Sequence, residues 1–240
     1  MNNLQELKDN WHDNTNFHQM VHETFIEKVN AIPELKAHRD WVEQNIFGFG
    51  ERSFLWMWWL LIQEMPKEFT FVEIGVFRGQ ILSLIKLIAD MQGKKVVRYG
   101  VTPLSTASDA GENKNWQSDY RADIEKMHDQ FNIQKDYTIL HGLSTDSNII
   151  SEAQKIKIDL LFVDGAHDFN SVVSDYFNYT PMVKNGGYVV CDDACNDLKM
   201  WWGAFQGQQS CTDATISFFK GNEYFKFIGN VVHDRIYKKI

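Results

Sequence analysis

FVEIGVFRG, residues 71–79, is the stretch that decides the fold of this 240-residue chain. Residues 69–74 predict a short buried strand that ends at Gly75, and residues 79–91 predict a helix with one apolar face. Gly75 permits a tight turn and a close backbone approach of a ligand. A strand, a glycine turn and a helix in this order are typical of an α/β sheet that binds ligands at the carboxyl ends of its strands.

The alternation of strand and helix continues along the rest of the chain. It predicts a parallel sheet with helices on both faces and right-handed crossovers. Near the C-terminus, two apolar runs flank Gly229-Asn230 and predict a tight antiparallel hairpin. We therefore predict a Rossmann-like, doubly wound, mostly parallel α/β fold. The further predicted strands are residues 95–101, 137–141, 158–163 and 187–191, and the further helices are 119–131, 146–155 and 169–183.

Residues 1–66 predict a helical N-terminal extension that serves as a lid or an interface, and residues 67–240 predict the main domain. The apolar run FLWMWWLLI, residues 54–62, lies in a predicted helix that Pro66 ends. Nine residues are too few to span a bilayer, which needs roughly 20. The run predicts a buried helix, with an interfacial helix or the contact of a homo-oligomer as alternatives.

Charge and composition limit the function classes. The net charge of −8 gives no electrostatic reason to expect a nucleic-acid partner. Three cysteines do not make a disulfide framework, and the first residues show no leader pattern. We expect a cytoplasmic protein without a membrane span.

Acidic side chains follow two of the predicted strands. Asp164 and His167 come after residues 158–163, and Asp192 and Asp193 come after residues 187–191. Because their strands end at the same edge of the sheet, the three carboxylates would repel one another without compensation. A divalent cation such as Mg²⁺ is a natural solution, and it would lower the pKa of a bound hydroxyl. The alternatives are that Asp164 only orients a cofactor or caps the next turn, and that Asp192 and Asp193 are helix caps or solvated loop acids.

The glycine-turn stretch resembles motif I of the class I S-adenosylmethionine-dependent methyltransferases. The pattern E-x-G-x-x-x-G is formed by Glu73, Gly75 and Gly79. The resemblance implies that residues 73–79, with Phe77 among them, bind the cofactor and that the acid faces its methionine end. Phe77 stands where a nicotinamide dinucleotide fingerprint has its middle glycine, which disfavours an oxidoreductase.

The acids resemble those of the metal-dependent O-methyltransferases of the catechol and macrolide-sugar types and of the cephalosporin-hydroxylase-like family. The resemblance covers residues 69–195. It implies that Asp164, Asp192 and Asp193 hold the metal, with Asp164 also near the cofactor. The position three residues after Asp164 is that of the general base in the catechol type, and here it is His167, whose type has an unperturbed pKa near 6.5. Helix capping and metal binding are the alternatives for His167.

The chain departs from the family pattern at the end of the second strand. Thr102 stands where a ribose-binding acid is usual, so Ser105 or Asp109 are alternative ribose contacts. Ser144, after the third strand, matches a position that contacts adenine. A polar loop, residues 102–118, is a second candidate for a lid.

An aromatic stretch follows the paired acids. Trp201, Trp202 and Phe205 predict either a wall for a sugar or planar acceptor or ordinary core anchors.

The sequence as a whole predicts a methyltransferase that uses S-adenosylmethionine and a divalent metal to methylate a hydroxyl of a small molecule or sugar. The alternatives are a metal-independent methyltransferase and a catalytically silent ligand-binding module. Thr102 favours the silent module, and the set of three acids disfavours it.

Overall fold

The computed structural model describes residues 1–45, 47–105 and 118–240. Within these residues, seven strands form one sheet in the order β3-β2-β1-β4-β5-β7-β6. The strands are β1 (Glu68–Ile74), β2 (Lys95–Thr102), β3 (Tyr137–His141), β4 (Ile158–Val163), β5 (Val183–Cys191), β6 (Phe225–Val231) and β7 (Asp234–Lys239). The helices are α1 (Leu4–Asp9), α2 (Thr15–Asn30), α3 (Pro33–Asn45), α4 (Phe54–Glu64), α5 (Gln80–Met91), α6 (Tyr120–Gln130), α7 (Ser147–Ala153), α8 (Phe169–Tyr179) and α9 (Gln209–Phe219).

The pairing of the strands confirms the predicted fold class. Strands β1 to β5 pair in parallel, and β1 lies between β2 and β4 at the point where the strand order reverses. Strand β7 runs antiparallel between β5 and β6. The antiparallel hairpin was predicted, and it places the first residue of β7 beside the last residues of β5.

The predicted position of the hairpin turn is wrong. Gly229 and Asn230 lie inside β6, and the turn falls on Val232 and His233, with Val232 at φ 47°. A Cβ atom on Gly229 would lie 3.2 Å from the ring of Trp11, so this glycine admits the N-terminal helix rather than a turn. Asn230 closes the turn instead, because its side-chain amide donates to the carbonyl of Val232.

Helix α9 was not predicted. Its buried positions include Cys211, Ala214 and Thr215, which are small or polar and leave little apolar periodicity. Its first turn carries no side-chain cap, so the usual signal for a helix start is missing as well.

Helix α4 lies at the centre of the main core, which confirms the predicted buried helix. Trp58 is fully buried, and its ring packs edge-on against Phe71 of β1 and Phe162 of β4 at centroid distances of 6.1 and 5.0 Å. Helices α1, α2 and α3 contribute to the same hydrophobic cluster as the sheet. In the described ranges, no helix combines the length and the apolar character that crossing a membrane requires.

Candidate active site

The predicted acids meet at the carboxyl ends of β4 and β5. His167 Nε2 lies 3.9 Å from Asp164 Oδ1 and 3.8 Å from Asp193 Oδ2. Asp192 completes the group, and its amide donates to the carbonyl of Val163 at 3.1 Å. Adjacent parallel strands thus bring Asp164, His167, Asp192 and Asp193 into one cluster, which we call the acid cluster.

The backbone at Asp193 is fixed by close contacts. Asp193 has a left-handed φ of 53°, and its carbonyl accepts a hydrogen bond from the amide of Gln208 at 3.0 Å. A Cβ atom on Gly207 would lie 2.2 Å from the carbonyl carbon of Asp193, so only glycine fits there. The next residue, Ala194, donates its amide to the carbonyl of His233 at 2.9 Å. The acids are therefore held by both the following loop and the C-terminal hairpin.

The acid cluster changes the protonation of its members. The interaction with Asp164 raises the pKa of His167 to about 9, and the charges of Asp193 and Asp192 add to the rise while burial opposes it. Burial raises the pKa values of Asp192 and Asp193. The charge of Asp164 raises the pKa of Asp192 further, and the charge of Asp192 does the same for Asp193. At neutral pH the cation-free cluster therefore contains an imidazolium that balances part of the carboxylate charge.

The donor set of the cluster fits a divalent cation. One ligand atom each from Asp164, His167 and Asp192 lies within 4.8 Å of the others. Carboxylate oxygens are the protein ligands that Mg²⁺ prefers, and Asp193 offers a further one close by. These residues could hold a cation and expose it to a hydroxyl group.

Two residues of the site were missed at the sequence level. His233 Nε2 lies 3.7 Å from Asp192 Oδ1 and 3.9 Å from Asp193 Oδ1. Burial lowers the pKa of His233, and burial together with Asp192 raises that of Asp234 well above its usual value. The signal that would have found both residues is topological: an antiparallel β7 beside β5 starts where β5 ends.

The glycine turn after β1 forms the second half of the site. Gly75 has φ 91°, and a Cβ atom there would lie 1.7 Å from the carbonyl oxygen of Asp164. Glu73 is buried, and its Oε2 has no hydrogen-bond partner in the part of the chain that the structure describes. Burial and then Asp164 raise the pKa of Glu73, while the backbone of Leu82 opposes the rise. A buried carboxyl with one open oxygen beside a backbone cradle fits the cationic methionine end of S-adenosylmethionine.

Phe77 and Gly79 complete this turn. Phe77 has φ 45°, and its ring packs against Phe49 and Tyr120 at centroid distances of 5.3 and 5.2 Å. Gly79 has φ 84° and precedes α5 in close contact with Ile124. The turn therefore has an aromatic frame that includes a residue of the N-terminal extension.

The remaining predicted cofactor contacts lie at the ends of β2 and β3. Thr102 is buried, and its hydroxyl oxygen accepts a hydrogen bond from the amide of Leu104 at 3.1 Å. Ser105 is exposed, and Asp109 lies outside the described residues. Ser144 is half-buried, and its carbonyl accepts a hydrogen bond from the hydroxyl of Tyr179 at 3.0 Å. The ribose and adenine contacts stay predictions.

Of the three aromatic residues proposed as a wall, one borders the acids. The Phe205 ring packs edge-on against His233 at 5.0 Å and is 52% exposed. Trp201 packs against His22 of α2 at 4.9 Å, and the side chain of Trp202 is 98% exposed. Phe205 is thus the member placed to contact an acceptor at the cluster.

A buried acid beneath the site gives a stability prediction. Burial raises the pKa of Asp175 on α8 from 3.8 to about 7, opposed by the hydroxyl of Ser144. Between these two values the unfolded chain releases this proton while the folded chain keeps it, so the free energy of unfolding falls as pH rises. The shift corresponds to at most about 4 kcal/mol. We expect Asp175→Asn to make this fall smaller, because the other buried acids still contribute to it, and urea denaturation at pH 4.5 and pH 8 measures the difference.

The control for this experiment is Asp213→Asn, because Asp213 is an exposed acid on α9. It should keep the pH dependence of the wild type. An Asp175→Asn variant with the same pH dependence as the wild type would contradict the prediction.

Two sequence comparisons identify what this chain is similar to. Residues 72–194 match the family model described as a methyltransferase domain. An uncharacterized protein of Acanthamoeba polyphaga mimivirus is 32% identical over 162 residues, which are 64% of this chain and 64% of that protein. The match therefore spans less than two thirds of the length of that relative.

Solved structures share the fold. A Staphylococcus aureus protein described as a caffeoyl-CoA O-methyltransferase aligns with a TM-score of 0.59 at 16% identity, over 85% of this chain and 91% of that one. The O-methyltransferase NovP aligns with a TM-score of 0.52 at 18% identity, over 78% of each chain. The methyltransferase MycE, in complex with Mg, SAH and mycinamycin VI, aligns with a TM-score of 0.53 at 16% identity, over 82% of this chain and 53% of that one.

Proposed function

Since this chain belongs to the class I S-adenosylmethionine-dependent methyltransferases, whose domain model matches residues 72–194, we propose that it methylates a hydroxyl group of a small molecule or sugar with the help of a divalent cation. The observation that carries the proposal is the acid cluster, in which three carboxylates and a histidine converge at the carboxyl ends of β4 and β5.

The chain's own residues divide the work between two sides of the site. Bound S-adenosylmethionine supplies the methyl group, and a divalent cation lowers the pKa of the acceptor hydroxyl. On the cofactor side, the open oxygen of Glu73 would accept a hydrogen bond from the cofactor ammonium, and the turn from Gly75 to Gly79 would hold the cofactor against its backbone. On the acceptor side, Asp164, Asp192 and Asp193 provide the oxygen ligands.

His167 accepts the proton of the acceptor hydroxyl at Nε2. The imidazole must be neutral to do this, yet the carboxylates raise its pKa to about 9. With a divalent cation held by Asp164, Asp192 and Asp193, these carboxylates would raise the pKa of His167 less, and the neutral imidazole could act as the base. Most of the rate enhancement then comes from positioning the two reactants and stabilising the oxyanion.

The N-terminal segment lies where a cover for the acceptor would be. Phe54 packs edge-on against His233 at 4.7 Å, and Phe49 packs against Phe77. Phe54 and Phe205 both pack edge-on against His233, which lies beside Asp192, and we call these two rings the apolar rim; Phe205 is the exposed member. We propose that residues 1–66 act as a lid that excludes water from the transfer, and that the rim packs against a ring of the acceptor, as a sugar or planar molecule provides.

A metal-independent methyltransferase is the second candidate. The observation in its favour is the ion pair of His167 with Asp164, which compensates carboxylate charge without a cation. The effect of chelation on methyl transfer separates the two candidates.

We also propose a cytoplasmic location, because Cys191, Cys195 and Cys211 are unpaired buried thiols.

The proposal is tested by titration calorimetry of the purified protein with S-adenosylmethionine, with and without Mg²⁺. We expect the wild type to bind the cofactor and to release a separate heat when Mg²⁺ is added. Asp192→Ala should lose the Mg²⁺ heat, because the substitution removes a carboxylate ligand. Asp213→Asn is the matched control and should keep both signals. Absence of cofactor binding under every condition would overturn the proposal in favour of a silent ligand-binding module.

A further inference from the structure

A second group of metal-ligating side chains shares Asp192 with the acid cluster. One ligand atom each from Asp192, His233 and Asp234 lies within 4.8 Å of the others. His233 and Asp234 come from the start of the C-terminal hairpin's second strand, an element that supplies nothing to the acid cluster. The two groups share Asp192 alone.

Asp234 is the residue of this group whose surroundings favour a bound cation. It is fully buried, and neither of its carboxylate oxygens has a hydrogen-bond partner in the described ranges. Without a cation, a proton has to remove this buried charge beside Asp192, and a divalent cation bound by both carboxylates would do the same. The adjacent cationic residue, Arg235, is bound to Asp197 and does not serve this purpose.

His233 is already oriented as a ligand would be. Its ring is held edge-on by Phe54 at 4.7 Å and by Phe205 at 5.0 Å, and Nε2 faces Asp192 at 3.7 Å. The side chain is 5% exposed, so the ring has little freedom to turn away. Approach to this group is through Asp192, whose side chain is 14% exposed.

We propose that Asp192, His233 and Asp234 form a second divalent-cation site, distinct from the Asp164 side and sharing only Asp192 with it. A donor set of two carboxylates and one imidazole suits first-row transition-metal ions such as Mn²⁺ better than it suits Mg²⁺, because Mg²⁺ prefers oxygen ligands alone. The ion would join β5 to the C-terminal hairpin and fix the rotamer of Asp192. Cation binding at this site requires neither the methyl acceptor nor methyl transfer.

The test counts Mn²⁺ ions bound to the full chain by the electron paramagnetic resonance signal of free Mn²⁺. The wild type is expected to bind two ions. Asp164→Asn is expected to retain one ion, because it leaves His233 and Asp234 untouched. Asp234→Asn is expected to lose one ion and keep the other, and Asp213→Asn should bind as the wild type does.

A second measurement identifies the ligand and guards against a variant that fails to fold. In Asp164→Asn, spin-echo modulation of bound Mn²⁺ is expected to show a coordinated imidazole nitrogen, and adding His233→Gln should remove that signal. Circular dichroism confirms that each variant is folded. An Asp164→Asn protein that is folded and binds no Mn²⁺, or whose bound Mn²⁺ shows no His233 nitrogen, would overturn the second site. Neither result bears on S-adenosylmethionine binding, so the proposed function is judged separately.

Discussion

His167→Gln is expected to lower kcat for methyl transfer by roughly 100- to 10,000-fold, the usual contribution of a positioned general base. Glutamine keeps a polar side chain of similar reach but cannot accept a proton near neutral pH. The dissociation constant of the variant for S-adenosylmethionine should stay within about twofold of the wild-type value, since the proposed cofactor contacts lie in the glycine turn after β1 and not at His167. The measurement is steady-state kinetics with the acceptor found by screening, beside equilibrium binding of the cofactor.

Asp213→Asn is the control, because Asp213 is an exposed acid on α9, outside the acid cluster, the glycine turn and residues 1–66. It should leave both constants unchanged. A His167→Gln enzyme that retains more than a tenth of the wild-type kcat would show that another group removes the proton. A parallel loss of cofactor affinity would instead point to a structural role.

The second large effect is expected at Gly75. Gly75→Ala should destabilise the protein by more than about 3 kcal/mol, because a left-handed φ alone costs a non-glycine residue roughly 1–2 kcal/mol and steric overlap adds to it. The added Cβ would lie 1.7 Å from the carbonyl oxygen of Asp164, so the ends of β1 and β4 would have to separate. Since Asp164 would move with its backbone, we expect Mg²⁺ binding to be lost together with stability. Urea denaturation and titration calorimetry measure the two effects.

Gly93→Ala separates the steric overlap from the backbone strain. Gly93 also has a left-handed φ, 63°, but a Cβ atom there would meet nothing within 4 Å. It should cost only about 1 kcal/mol and leave ligand binding intact. Equal destabilisation by the two substitutions would mean that the contact between Gly75 and Asp164 does not constrain the site.

The parts of the fold that rest on strong periodicity were predictable. The bounds of β3 and β4 agree with the prediction to the residue, and β1 differs by one residue. Strands β1 and β4 are buried in the middle of the sheet, where apolar runs are continuous and end at a glycine or an acidic residue. Strand β3 lies at the edge of the sheet, and its short run is bounded by Gly142. The same argument placed Asp164 and Asp192 at one edge, because parallel neighbours end together.

The C-terminal part was less predictable, for an identifiable reason. A Gly-Asn pair is a strong signal for a hairpin turn, but at Gly229 the missing side chain makes room for Trp11, which lies 218 positions earlier in the sequence. Local propensity carries no information about such a contact. With the turn misplaced, His233 and Asp234 fell within a predicted strand and their place beside Asp192 was hidden.

The link between Trp11 and the C-terminal hairpin has a consequence for synthesis. The indole Nε1 of Trp11 donates to Asn230 at 2.7 Å, and Asn230 in turn holds the hairpin that carries His233. On the ribosome, α1 therefore emerges long before its docking partner exists, and non-local contacts of this kind form late. Helix α1 can pack on α4 early, but its contact with the hairpin cannot form until residue 230 has been translated. A translational arrest before that residue therefore leaves a nascent chain with an exposed hydrophobic face and an incomplete site.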